Sequence, residues 1–280
     1  ASDVYKRQLI LGGLKMRLMT IASGSSGNCI YVGSGNTHIL IDSGISRKKI
    51  ADGLALAGLS MKDISAVFVT HEHIDHIKGL GVISRKDSIP IYSTKGTIRG
   101  IKECSSLGEM DESLFNEINA DADVFVNDLQ IHPFKVSHDA NEPVAYTVKC
   151  KEKKIGIATD LGFYDDYIVD NIKGSQAMLI EANHDVNLLQ VGSYPYYLKQ
   201  RILSNKGHLS NETSGHLIDS LLENDVKNIF LGHLSKENNY DKLAYETVRL
   251  EIDMSDSEYR ADDFDITVAN RDIPSKIVEI

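Results

Sequence analysis

The sequence predicts an α/β protein built as a four-layer αββα sandwich, on three observations. Short apolar, β-branched runs alternate with stretches of helical periodicity; this β-then-α rhythm occurs twice, once in each half; and polar residues able to do chemistry sit at the ends of the strand runs. Two such halves stack sheet on sheet, with helices outside and the strand ends along one edge. A chain of 280 residues, 42% of them hydrophobic, has material for one large domain or two small ones with a full core. Met16-Arg17-Leu18-Met19-Thr20-Ile21 reads as a natural beginning that leads straight into a strand, so residues 1–15 are expected to be a non-native or disordered extension and 16–280 a single domain.

From Met16 the pattern is strand, glycine loop, strand, turn, strand, over residues 18–22, 29–32 and 38–41, with Gly33-Ser34-Gly35-Asn36 as a hairpin turn. The loop Ser23-Gly24-Ser25-Ser26-Gly27-Asn28 combines a freed backbone with hydroxyl donors and reads equally as an anion cradle and as a surface turn. Asp42 closes the third strand. Ile50, Leu54 and Ala57 recur at helical spacing within residues 48–59, and Gly58 reads as the stop.

Val67-Phe68-Val69 is then a buried strand, and His71-Glu72-His73-Ile74-Asp75-His76 at its end packs three histidines and two carboxylates into six residues. One histidine there would read as a polar strand end meeting solvent; the packed His-x-His-x-Asp-His reads as a metal site. Imidazole nitrogen and carboxylate oxygen suit Zn²⁺, and mixed sets of this kind also suit Mn²⁺ or Fe²⁺. If the chain leaves the strand as an extended turn, His71 and His73 point the same way and chelate one ion, while Asp75 and His76, on the first turn of the next helix, hold a second.

A helix over 77–85, a strand over 89–92 and a helix over 94–101 follow; residues 104–121 are polar, with helical hints at 114–118. Strands return at 124–126, 130–136, 144–150 and 155–159, Lys151-Glu152-Lys153-Lys154 being a hairpin turn. Ser137-His138-Asp139 and Thr159-Asp160-Leu161-Gly162 each close a strand. Ala177-Met178-Leu179-Ile180-Glu181-Ala182-Asn183-His184 is a buried strand with a polar end, residues 194–203 are a helix, and Ser210 or Asn211 caps another. His208 therefore sits at a helix N-terminus, where anions are attracted. The strand 229–231 ends in Gly232-His233; a helix over 240–250 and a strand over 266–269 close the chain.

The His71 cluster after an apolar strand resembles the signature of the metallo-β-lactamase superfamily, in which a later His, Asp and final His arrive at strand ends. That resemblance implies the αββα fold and a binuclear hydrolase: His71, His73 and His138 on one divalent ion, Asp75, His76 and His233 on the other, Asp160 bridging both, and a hydroxide shared between the ions. It also places Asp42 behind the ligands, orienting backbone or a histidine. Gly207-His208-Leu209-Ser210 is similar to an element of the tRNA-maturing zinc phosphodiesterases of the superfamily, which implies that His208 is a general acid oriented by Glu181. With Glu181-Ala182-Asn183-His184-Asp185, Gly232-His233-Leu234-Ser235 and the glycine loop, the chain resembles the YycJ/WalJ branch over about residues 16–270. What that implies is a bacterial, DNase-like exonuclease of 5′-to-3′ type acting on DNA or RNA ends. His184 would join the catalytic groups, holding a phosphate with Ser25, Ser26 and Asn28.

Composition bounds these readings. The net charge of −10 argues against nucleic-acid binding driven by overall charge and favours the alternative of a small-molecule hydrolase acting on a cyclic phosphodiester, thioester or lactone. Three basic groups, Arg47-Lys48-Lys49, Lys149-Lys151-Lys153-Lys154 and Lys199-Arg201-Lys206, read as solvated faces. A metal-stabilised signalling adaptor is a third reading, set against by the complete ligand set. Cys29, Cys104 and Cys150 are widely spaced without a C-x-x-C pair, which points to the cytoplasm, and no apolar run approaches the ~20 residues that span a bilayer.

Overall fold

The computed structural model describes residues 15–280. The expectation of an extension over 1–15 lies outside the described residues except for Lys15, whose ammonium pairs with Glu279 at 2.6 Å. Two seven-stranded sheets carry the fold. The first joins β1 (Arg17–Ala22), β2 (Cys29–Gly33), β3 (His38–Ile41), β4 (Ile64–Phe68), β5 (Ile91–Thr94) and β6 (Phe115–Ile118), in that order, with β14 (Val278–Glu279) beside β1. The second runs from β7 (Val124–Val126) through β8 (Leu129–Lys135), β9 (Val144–Cys150), β10 (Lys153–Ala158), β11 (Ala177–Glu181) and β12 (Asn228–Gly232) to β13 (Asp265–Val268). Each sheet opens with antiparallel hairpins and continues with parallel strands joined through helices. Parallel strands end at a common edge, so every strand-end loop that follows β4, β10, β11 and β12 opens on the same side.

Alternation along the strands makes the layers. Ile39, Ile41, Ala66, Phe68, Leu179 and Phe230 face the core between the sheets, where Phe68 stacks on Tyr92 at 4.9 Å. Their neighbours Leu40 and Val67 meet α1 (Arg47–Leu56) and α3 (Leu80–Asp87) through Ile50, Leu54 and Ile83. On the other side Met178, Ile180, Ile229 and Leu231 meet α8 (Asn211–Leu221) and α9 (Asp241–Met254) through Leu217, Ile218, Leu221 and Val248. Strands buried on both faces read as continuous apolar runs, which is how they appear in the sequence. The four-layer αββα expectation is borne out.

Several boundaries differ from the sequence reading. The helical hint at 114–118 is wrong: Phe115–Ile118 is the edge strand β6, held parallel to β5 by its ladder. The helix expected at 77–85 breaks into α2 (Ile74–Ile77) and α3 where the Gly79 N–H leaves the helical ladder and donates to the Ser43 carbonyl at 2.7 Å, a close approach at which an added Cβ would lie 2.3 Å from the Ile45 carbonyl oxygen. The helix α4 (Lys95–Glu103) lies where expected, and α7 (Tyr196–Ile202) starts after Pro195. The short helices α5 (Asp166–Ile172) and α6 (Val186–Val191) were not anticipated. Among the described residues no helix is long and apolar enough to cross a membrane.

Candidate metal centre

The centre is built from strand ends whose backbones are held in unusual conformations. Asp42, Asp160 and His233 follow β3, β10 and β12 with φ of 60°, 61° and 55°, a left-handed region that side chains other than glycine seldom adopt and that surrounding structure must enforce. Asp42 shows how. Its Oδ1 accepts from the Thr70 N–H at 2.8 Å, and its Oδ2 accepts from the Thr70 hydroxyl at 2.9 Å and lies 2.7 Å from His76 Nδ1. The carboxylate thus fastens the turn after β4 and the ring of His76 at once.

Three imidazoles repeat one design, in which Nδ1 is occupied by protein and Nε2 turns inward. His76 uses Asp42; His138 Nδ1 donates to the Gly207 carbonyl at 3.1 Å; His233 Nδ1 lies 3.2 Å from Glu181 Oε1. Such partners set tautomer and ring orientation for a metal ligand. The inward nitrogens meet carboxylates: His76 Nε2 is 3.5 Å from Asp75 and 3.4 Å from Asp160, and His233 Nε2 is 3.5 Å from each.

Two sets of ligand atoms result, His71 with His73 and His138, and Asp75 with His76 and His233, each with its atoms within 4.8 Å of one another. Asp160 stands between them, grouped with His71 and His76 and 3.7 Å from His138 Nε2. His71 Nε2, His233 Nε2 and Asp160 Oδ2 are buried with no hydrogen-bond partner among the described residues. Buried polar atoms left bare are costly, and two divalent cations, one at each ligand set, would satisfy all three. The nitrogen-oxygen donor set and these orphaned atoms fit two divalent ions.

Electrostatics agrees with that fit. Burial presses His71 well below its ordinary range, leaving the ring neutral. Burial pulls His76 and His233 the same way, but Asp160, helped by Asp42 and Asp75 at His76 and by Asp75 and Glu181 at His233, overrides it and raises both, His233 to about 10. Asp160, which burial alone would raise, is held well below its ordinary value by His233, His76 and His71. Acids and imidazoles here neutralise one another, and a cation can take the place of the protons.

The other expected residues fall at different depths. Glu181 and His208 meet beside Asp160, with His208 Nδ1 3.7 Å from its Oδ1. His184 is 1% exposed, its ring nitrogens have no partner among the described residues, and burial lowers it to about 4; it belongs to none of the ligand groups. Ser25 and Ser26 are exposed at the tip of the glycine loop. Asn28 departs from the phosphate-holding expectation. It is buried, accepts from the Gly24 N–H at 2.9 Å, donates to the Gly24 carbonyl at 3.1 Å and packs 3.1 Å from His76 Nε2, so its amide closes the loop. Asp139 was not singled out from the sequence, yet its Oδ1 lies 3.4 Å from His138 Nε2 and 3.9 Å from His73 Nε2. Its position directly after His138 was the available signal.

The profile of the beta-lactamase superfamily domain matches residues 37–226. The chain belongs to this superfamily. It is 38% identical over 260 residues, 93% of this chain and 96% of the relative, to the exodeoxyribonuclease WalJ of Streptococcus pneumoniae. It is 37% identical over 233 residues to the exodeoxyribonuclease YycJ of Bacillus anthracis, covering 83% of this chain and 88% of that one. Among solved structures, the metallo-beta-lactamase fold protein YhfI from Bacillus subtilis superposes with a TM-score of 0.67 at 14% identity, over 95% of this chain and all of that one, which bears on the fold. The YycJ/WalJ resemblance within the superfamily is borne out.

Proposed function

We propose that this superfamily member is a binuclear metal-dependent exodeoxyribonuclease that works in the cytoplasm from the 5′ end of DNA, with Zn²⁺ or Mn²⁺ as its metal. The expectation of a nuclease-type hydrolase is borne out by relatives of that name at 37–38% identity over most of the chain. The observation that carries the reading is Asp160, reached from both ligand sets and flanked by the His208–Glu181 pair.

His71, His73 and His138 would hold one ion, Asp75, His76 and His233 the second, and Asp160 would touch both. When bound, two such ions supply Lewis-acid charge and acidify water. The chain's own groups do the rest. Glu181 accepts at Oε1 from His208 Nδ1, which turns His208 Nε2 away from the protein. A ring protonated on both nitrogens then donates inward to Glu181 and outward to the oxygen that leaves phosphorus. Ser25 and Ser26, exposed on the loop that Asn28 closes against His76, would donate to a phosphate of the strand.

The test is to measure metal content, reconstitute with Mn²⁺ or Zn²⁺, and assay 5′-phosphorylated single-stranded DNA beside RNA, a cyclic nucleotide and a thioester. Stepwise release of mononucleotides from the 5′ end of DNA is expected. Turnover of a small molecule alone, by protein carrying two ions, would defeat the proposal.

A further inference from the structure

Arg201 is a charged side chain at the centre that the ligand set leaves unexplained. The structure splits the basic group Lys199-Arg201-Lys206. Lys199 spends its ammonium on the carbonyls of Gln190 and Gly192, at 2.7 and 2.6 Å. Arg201, near the end of α7, turns toward the metal ligands, and its Nε donates to Asp139 Oδ2.

Asp139 faces two ways. While Oδ2 takes Arg201, Oδ1 is buried, has no hydrogen-bond partner among the described residues and lies beside the inward nitrogens of His138 and His73. The backbone holds the arrangement rigid. A Cβ added to Gly207 would fall 2.0 Å from the Ile202 carbonyl oxygen and 2.4 Å from that of Arg201, so only glycine allows this approach. His208 N–H donates to the Ile202 carbonyl at 3.0 Å, and the Gly207 carbonyl accepts from His138. Arg201 is thereby fixed relative to both a metal ligand and the proton donor. Of its five N–H donors only Nε–H has a partner among the described residues, and the side chain is 51% exposed. A planar fork of free N–H groups matches phosphate oxygens better than an ammonium does.

We propose that Arg201 is a phosphate-binding residue of the substrate site, its Nε anchored on Asp139 while its remaining N–H groups grip a backbone phosphate of the DNA strand at the metal centre. The proposal rests on the nuclease reading, and Asp139 acts in it as a positioning residue.

The metal-loaded full chain and its R201A, R201K and D139N variants would be compared for KM and kcat on 5′-phosphorylated single-stranded DNA across a salt series, with metal content read by mass spectrometry. R201A should raise KM by about tenfold to a hundredfold and make the negative slope of log(1/KM) against log salt shallower by about 0.7, the value of one phosphate contact on a single strand. R201K should keep the slope and recover part of KM, and it also carries the test should R201A fail to fold. D139N should raise KM with the slope retained, because the arginine charge remains. Metal content of both Arg201 variants should equal that of the wild type. Wild-type KM and salt slope in R201A, while the wild type degrades DNA, would overturn the proposal and leave the pair structural. A metal-loaded wild type that leaves DNA intact would overturn the nuclease reading, and the proposal with it.

Discussion

His208 Nδ1 lies 2.6 Å from Glu181 Oε1, and of the two side chains only the imidazole reaches solvent. The second oxygen of Glu181 accepts from the Leu161 N–H at 2.8 Å. Burial would raise its carboxyl, but His208 and His233 outweigh burial and bring it down to about 2. The carboxylate therefore stays charged and holds the ring in one orientation. His208→Ala should lower kcat on DNA by about 10²- to 10⁴-fold with metal content unchanged. The loss should be much smaller on bis(p-nitrophenyl) phosphate, whose phenolate departs without a proton. Equal losses on both substrates would reject the proton-donor role.

Asp42 touches no substrate, yet it joins the Thr70 backbone to the His76 ring. Asp42→Ala frees that ring to rotate and takes the acceptor from three buried groups, the Thr70 N–H, the Thr70 hydroxyl and His76 Nδ1. Metal affinity should fall by about 10- to 100-fold, read by competition with a chromophoric chelator. An unchanged affinity would show that His76 is oriented by something else.

Chelation should act on stability as well as activity. Ions that bind only the folded chain stabilise it by mass action, about 4 kcal/mol at a thousandfold excess over Kd. Protein stripped with a chelator should therefore melt lower than the loaded protein, and the gap should widen with free metal concentration. A melting temperature indifferent to metal would speak against the paired ligand sets.

What the sequence revealed and concealed follows from distance along the chain. Four of the seven candidate ligands lie within six residues, and His138, Asp160 and His233 each end an apolar run, so local pattern located them. The Asp139–Arg201 pair joins residues 62 apart, and although Asp139 follows His138 and Arg201 lies in a basic group, no local pattern says that the two meet. β14 is two residues long and exists through pairing such as Leu18 with Val278. β6, Phe-Asn-Glu-Ile, is a half-exposed edge strand without an apolar run. The helices α5 and α6 did carry a signal, capping aspartates at Asp165 and Asp185 that accept from Ile168 and Leu188, but each is under two full turns and offers little periodicity. Asn28 shows the remaining limit: composition marked its loop as able to bind, and only the fold shows its amide turned inward.

Gly44 bears on the centre through backbone alone. A Cβ there would lie 1.6 Å from the Asp75 carbonyl oxygen, and the Gly44 N–H donates to the Asn28 carbonyl at 2.7 Å. Gly44→Ala must push away the loop that carries Asp75. It should cost at least the ~3 kcal/mol of severe overpacking and reduce bound metal. Gly35→Ala, with nothing within 4 Å of the new atom, is the control expected to be near neutral in urea unfolding.

Lys154 gives a pH dependence remote from the metals. Its ammonium donates to the Lys173 carbonyl at 2.6 Å, but burial, and secondarily the charge of Lys149, lower its pKa from 10.5 to about 8. Below pH 8 both folded and unfolded chains carry the proton, and the folded chain bears the cost of holding it. Between about 8 and 10.5 the folded chain releases the proton while the unfolded chain keeps it, so this group adds stability as pH rises through that window. Lys154→Met lacks the titration. The stability of the wild type relative to Lys154→Met, measured by urea unfolding, should therefore increase from pH 7 to pH 10. A difference that stays constant or shrinks would mean that the ammonium is well solvated in the folded state.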